Sequence, residues 1–120
     1  MVLRNVTFAT SDPARLADFW SAALGYTERR DAETEILLGP PGWGFPRLNF
    51  QRGHRTPVTE DPVHLDLTAA DMDGEVERLL ALGAVSLWTI SAEESGTTTW
   101  TTMRDPDGNK FCVVQRPPGE

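Results

Sequence analysis

Apolar and polar residues alternate with period two over "NVTFAT" (5–10) and again over "VHLDLTA" (63–69). Each stretch leads into a run where apolar residues recur every three or four positions. The first pattern predicts a strand with one face in a core, and the second a helix with one apolar stripe. In the first run Leu16, Phe19, Trp20, Ala23 and Leu24 form the stripe. Asp12 is placed to accept hydrogen bonds from the free N–H groups of the first turn. Pro13 fits the first helical position, and Gly25 can take the left-handed conformation that ends the helix. In the second run Asp71 or Asp73 caps, Val76, Leu79, Leu80 and Leu82 are expected to pack, and Gly83 stops the helix.

Three extended runs follow each helix, about 26–30, 34–39 and 47–51 in the first half and about 84–90, 97–104 and 110–115 in the second. "GPPGWGFP" separates the last two strands of the first half. "DPDGN" makes a tight turn in the second, Pro106 with its fixed φ and Gly108 with its tolerance of positive φ. The halves share one order, strand–helix–strand–strand–strand, and Asn5 precedes Asp12 by the same spacing as His64 precedes Asp71. The expected fold class is therefore α+β: two tandem βαβββ modules forming a curved mixed sheet around a cleft. Module one covers about 1–51, a polar connection 52–61, and module two about 62–120, all in a single domain. On this reading the polar side of "HLDLT", with His64 and Asp66, looks into the cleft.

The chain has 120 residues, 39% hydrophobic and 24% charged, which suits one ordinary globular core. Its net charge of −7 disfavours nucleic acid, a polyanion that binds through clustered Lys and Arg. No apolar run approaches the roughly 20 residues that span a bilayer, so no membrane partner is expected. A single cysteine forms no internal disulfide, and the first residues lack the apolar core of a secretory signal. A cytoplasmic location is the expectation. "DPDGN" also has the alternating acids of a calcium loop, but Lys110 stands where that loop needs glycine.

The doubled pattern, with "SDPARLADFWSAALGY", "VHLDLTAADMDGEVERLLALGA" and "MRDPDGNKFCVVQ", resembles the glyoxalase/bleomycin-resistance/extradiol-dioxygenase superfamily, the vicinal oxygen chelate fold. The likeness covers essentially the whole chain and points to a small glyoxalase-like protein. Metal-using members place one ligand on the first and one on the last strand of each module. Carried over, these positions are Asn5, His64 and Cys112, with Leu48 as the fourth when "RLNFQ" is aligned with "FCVVQ". That register puts Phe50 beside Leu48 in an apolar cleft and turns Asn49 toward the helix. Leu48 cannot ligate and Asn5 is a neutral donor, so no full metal site and no cofactor is expected. If a divalent metal (zinc, nickel, iron or manganese) binds, His64, Cys112 and Asn5 are its ligands. Asp66 is two residues along the strand from His64, with Cβ atoms about 6.5–7 Å apart, a stretch for a shared ion.

The resemblance implies a small organic ligand, bound or converted in the cleft by Asn5, Thr7, Trp43, Leu48, Phe50, His64, Trp100, Cys112 and Val114. An enzyme of this kind would use His64 as general base, oriented by Asp66, in a lyase or isomerase reaction. The alternatives are a metal-dependent lyase or isomerase of glyoxalase type and an antibiotic-sequestering binder. Trp20 belongs to the core, Trp88 to the core or an interface. Trp100 faces either the helix or the cleft, and Trp43 is either a lid or loop packing. Edge strands and several tryptophans also predict a homodimer.

Overall fold

The computed structural model describes residues 1–53 and 63–120, so His54 and most of the polar connection lie outside the described residues. The chain forms two compact units, Met1–Pro57 and Val58–Glu120, each built on its own four-stranded mixed sheet.

The first unit runs β1 (Asn5–Thr10), α1 (Pro13–Leu24), β2 (Glu28–Asp31), β3 (Glu35–Gly39), a 3-10 turn (Pro41–Trp43) and β4 (Arg47–Arg52). Its sheet order is β1-β4-β3-β2, with β1 and β4 parallel and the other pairs antiparallel. The helix ends as its sequence predicts. The Asp12 carboxylate accepts from the Arg15 N–H, Pro13 opens the helix, and Gly25 closes it at φ 68°. Parallel strands need a crossover, and α1 supplies it.

The register decides which face is which. Val6 pairs with Leu48 and Phe8 with Phe50, so all four share one face. The Phe8 ring lies 5.8 Å from Trp20 of α1 and 5.2 Å from Phe50, which identifies that face as the helix-packed one. Leu48 and Phe50 are buried there with Leu16, Leu38 and Trp20. The sequence alignment of "RLNFQ" with "FCVVQ" is therefore wrong by one residue, and Leu48 and Phe50 are core side chains rather than ligand contacts. Asn49 occupies the opposite face beside Thr7. A one-residue slip exchanges the two faces of a strand. The slip that would have buried the Asn49 amide against the helix does not occur, consistent with the cost of an unpaired buried amide.

The second unit runs β5 (Leu65–Ala69), α2 (Met72–Ala81), β6 (Val85–Ile90), α3 (Ala92–Ser95), β7 (Trp100–Arg104) and β8 (Lys110–Gln115), in sheet order β5-β8-β7-β6. Asp71 is the cap of α2, accepting from the Gly74 N–H. The buried stripe of that helix is Met72 and Leu79, while Leu80 and Leu82 are exposed rather than packed. One residue turns a helix by about 100°, so Leu80 rotates out of the stripe that Leu79 occupies. Gln115 ties the crossover to the sheet: its Oε1 accepts from the Met72 N–H and its Nε2 donates to the Ala70 carbonyl. Arg52, in the matching place of the first unit, donates to the Ser11 carbonyl.

Removing a buried ring leaves a cavity, so Phe50→Ala should lower unfolding free energy by about 3–5 kcal/mol in urea titration. Leu48→Glu buries a charge and should cost as much or more, whereas Asn49→Ala should cost only about 1 kcal/mol. If Asn49→Ala proves as damaging as Leu48→Glu, the assignment of faces fails.

Candidate functional site

The open face of the second sheet carries the densest chemistry among the described residues. Strand pairing sets Asp66 beside Cys112, Cys112 beside Thr102, and Thr102 beside Trp88, so these four form one row across the sheet. A second row sets Thr68 beside Val114, and Val114 beside Trp100. Together with His64, Thr98 and Lys110, parts of both rows line a pocket of about 540 Å³. That lies within the roughly 300–1,000 Å³ typical of small-molecule sites.

Two local devices shape the pocket. β6 carries a bulge between Ser86 and Trp88, so Trp88 rather than Leu87 stands opposite Thr102. A bulge inserts one residue and re-aims those after it, which puts the half-exposed Trp88 ring on the open face. The second device is the "DPDGN" turn joining β7 to β8. Buried Asp105 accepts from the N–H groups of Asp107 and Asn109 and from the Asn109 side-chain amide. The carbonyl of Gly108, which sits at φ 86°, accepts from the Arg104 guanidinium. This closed turn delivers Lys110 and Cys112 to the pocket, with Lys110 Nζ 5.7 Å from the Trp88 ring centre.

His64 Nε2 lies 3.2 Å from Asp66 Oδ1, with both side chains partly solvated. The carboxylate thereby holds the imidazole in one orientation. Cys112 is buried, and its Sγ shares a hydrogen bond with Thr102 Oγ1 at 3.5 Å. Burial pushes the Cys112 thiol pKa up, the Asp66 charge and a hydrogen bond to Asp66 add to the rise, and Thr102 and Lys110 oppose it. At neutral pH the sulfur is a thiol, and a thiol is a poor nucleophile.

The donor atoms of His64, Asp66 and Cys112 all lie within 4.8 Å of one another. From its Cβ spacing Asp66 was expected to be a stretch for an ion shared with His64. The side chains close that gap, His64 Nε2 coming to 3.2 Å from Asp66 Oδ1. Two ligands about 2.0 Å from a tetrahedral ion stand about 3.3 Å apart, close to the His64–Asp66 distance. An imidazole, a carboxylate and a sulfur suit a borderline divalent ion such as zinc, once Cys112 has lost its proton. Asn5, the third ligand expected from the sequence, belongs to the first unit.

The matching rows of the first sheet differ in character. Thr7, Asn49, Leu37 and Arg30 stand side by side there, and Asn5, Arg30, Ala32, Glu35, Leu37 and Asn49 line a smaller pocket of about 170 Å³. Asn49 and Gln51 both donate to Glu35 Oε2 at 3.2 Å. Trp43 packs in its loop: its ring takes Arg30 at 5.1 Å and Arg47 at 5.3 Å. It also sits so close to Gly39 that a Cβ there would come within 2.6 Å of the ring.

Of the residues singled out in the sequence, His64, Asp66, Trp100, Cys112 and Val114 line this one pocket. It adds Trp88, Thr98, Thr102 and Lys110, which sequence reasoning missed. Thr102 and Lys110 were within reach, since each is an even step from a named residue on its strand. Trp88 was not, because the bulge leaves no mark in the residue pattern.

The family described as Glyoxalase-like domain matches residues 5–114. No curated protein sequence matches the chain significantly. Among solved structures, the chain is similar to a glyoxalase/bleomycin resistance protein/dioxygenase family enzyme from Burkholderia phytofirmans PsJN, at TM-score 0.73 and 14% identity over 96% of this chain and 98% of that one. It is also similar to a superfamily member from Sphaerobacter thermophilus, at TM-score 0.67 and 22% identity over 97% and 98% of the two chains. A fosfomycin resistance protein from Mesorhizobium loti matches at TM-score 0.71 and 16% identity over 98% and 93%. At these identities the likeness carries the fold, while function rests on the site itself.

Thiolate is the form that alkylates, so a raised Cys112 pKa moves the iodoacetamide rate profile to higher pH than that of a free cysteine. Asp66→Asn removes a charge that raises the pKa, and the profile should move back down. A midpoint unmoved by Asp66→Asn would show that the carboxylate does not act on the sulfur.

Proposed function

The chain belongs to the glyoxalase-like domain family, and from that premise we propose that it binds a small organic molecule in the pocket of the second unit. The observation that carries this reading is the pairing of two aromatic walls, Trp88 and Trp100, with a polar floor holding the His64–Asp66 pair. Flat apolar ligand surface gains contact area on the indoles. The His64 imidazole meets the ligand's polar end, with Lys110 and Thr102 as further donors at the same wall.

The arrangement also suits proton transfer. His64 is oriented by Asp66 and opens on the pocket, the geometry of a general acid–base. Conversion of a bound ligand by a lyase or isomerase route would use His64 to move a proton next to a carbonyl. Pure sequestration would need only the walls. The two are separated by whether His64→Ala abolishes turnover while leaving binding within about tenfold.

A second reading has its own support in the cluster of His64, Asp66 and Cys112 donors. These residues would hold a zinc-like ion, which when bound would polarise a ligand oxygen as a Lewis acid. The structural cost lies at Cys112, whose proton must leave a site that disfavours the thiolate. The edge positions of β2 and β6 in their sheets leave room for the further proposal of a homodimer in the cytoplasm.

Anilinonaphthalene sulfonate is a suitable first probe, with aromatic surface for the indoles and an anion for Lys110. Trp100→Ala should weaken its binding by about tenfold or more, as loss of a buried aromatic contact does. Unchanged affinity in Trp100→Ala and Trp88→Ala would sink the pocket assignment. Elemental analysis of protein purified without chelator decides the second reading. A stoichiometric metal lost in His64→Ala and Cys112→Ser would establish it.

A further inference from the structure

The pocket of the first unit holds an arginine and a glutamate that face the same small space without meeting. Arg30 and Glu35 both line the cavity of about 170 Å³, yet among the described residues they form no ion pair with each other or with any other side chain. They are close enough to have done so. Arg30 pairs with Leu37, and Glu35 lies two residues before Leu37 on the same face. Diagonal neighbours of this kind stand about 7–8 Å apart, within reach of two long side chains.

Each is instead held by a separate anchor. Arg30 Cζ lies over the Trp43 ring, 5.1 Å from its centre. Glu35 accepts the Asn49 and Gln51 amides, and both bonds fall on Oε2.

What the anchors leave free is informative. A cation–π contact uses no N–H donor, so the Arg30 guanidinium keeps the N–H groups that bind carboxylates in bidentate fashion. Glu35 Oε1 has no partner among the described residues, and neither has the side-chain amide of Asn5 at the pocket wall. The cavity thus presents a cationic edge, an anionic oxygen and a neutral amide, with Leu37 as its apolar floor. We propose that this pocket binds a small zwitterion, an amino acid whose carboxylate meets Arg30 and whose ammonium meets Glu35. The volume admits only a few groups of water size, so the molecule is a short one. The proposal does not rest on the reading of the second unit's pocket.

The test uses the full chain and three probes, L-alanine, β-alanine and γ-aminobutyrate, each beside its N-acetyl and its carboxamide derivative. Binding is followed by ¹H–¹⁵N spectra of the side-chain amides, with Asn5 and Asn49 assigned by substitution. At least one free zwitterion should shift Asn5 and Asn49 saturably. Its singly charged derivatives should bind at least about tenfold more weakly, as each loses one charge-assisted contact. Arg30→Gln and Glu35→Gln should each reduce affinity by a similar factor, with thermal unfolding followed to confirm that both variants fold. The proposal is overturned if no zwitterion shifts these amides, if the blocked derivatives bind as well as the parent, or if a folded Arg30→Gln binds unchanged. The derivative series on the unmodified protein decides the matter even if a variant fails to fold.

Discussion

In each unit the last strand lies parallel to the first, and that pairing sets the chemistry of the whole open face. With β1 against β4, Thr7 stands next to Asn49, and with β5 against β8, Asp66 stands next to Cys112. Sliding either pair by one residue would turn the helix-facing side chains outward and bury the polar ones. Buried Phe50, with the Phe8 ring against it, holds the register in the first unit, and buried Phe111 and Val113 hold it in the second. The polar row follows as a consequence. The helix that makes the parallel pairing reachable is also the surface on which the apolar row is packed.

The same scaffold carries two different surfaces. Asp66, Cys112, Thr102 and Trp88 in the second unit correspond by strand position to Thr7, Asn49, Leu37 and Arg30 in the first. Imidazole, carboxylate, thiol and indole on one sheet are matched by amides, a guanidinium and a separate carboxylate on the other. Tolerance of this kind follows from the layout: packing constrains the helix-facing residues, while the open face is free to vary in kind. The fold is common to proteins of different roles, and the site chemistry is what separates them.

Charge placement tells the same story at shorter range. Cys112 sits between Thr102, which favours its thiolate, and Asp66, which opposes it, with burial outweighing both. Arg30 lies against a tryptophan, and Glu35 accepts from two amides rather than from Arg30. In the first unit the bonds to Glu35 fall on Oε2 and leave Oε1 without a partner among the described residues. An unsatisfied polar edge beside a cavity is where a ligand can gain free energy that solvent supplies less well.

The residue pattern by itself determined the strand–helix–three-strand order, the Asp12 cap, the Gly25 stop and the tight turn at "DPDGN", and narrowed the second cap to Asp71 or Asp73. It also assigned His64 and Asp66 to an open face. These are local properties, governed by periodicity and by backbone geometry over a few residues. Leu48 and Asn49 were beyond its reach, since "RLNFQ" reads plausibly in either phase and only the partner strands choose between them. Trp88 depended on a bulge, and the closeness of Asp66 to Cys112 on a pairing between strands far apart in the chain. The separation of Arg30 from Glu35 likewise needed the loop that carries Trp43 to fold back over β2. Register, bulges and long-range neighbours arise from contacts between segments, and no single segment encodes them alone.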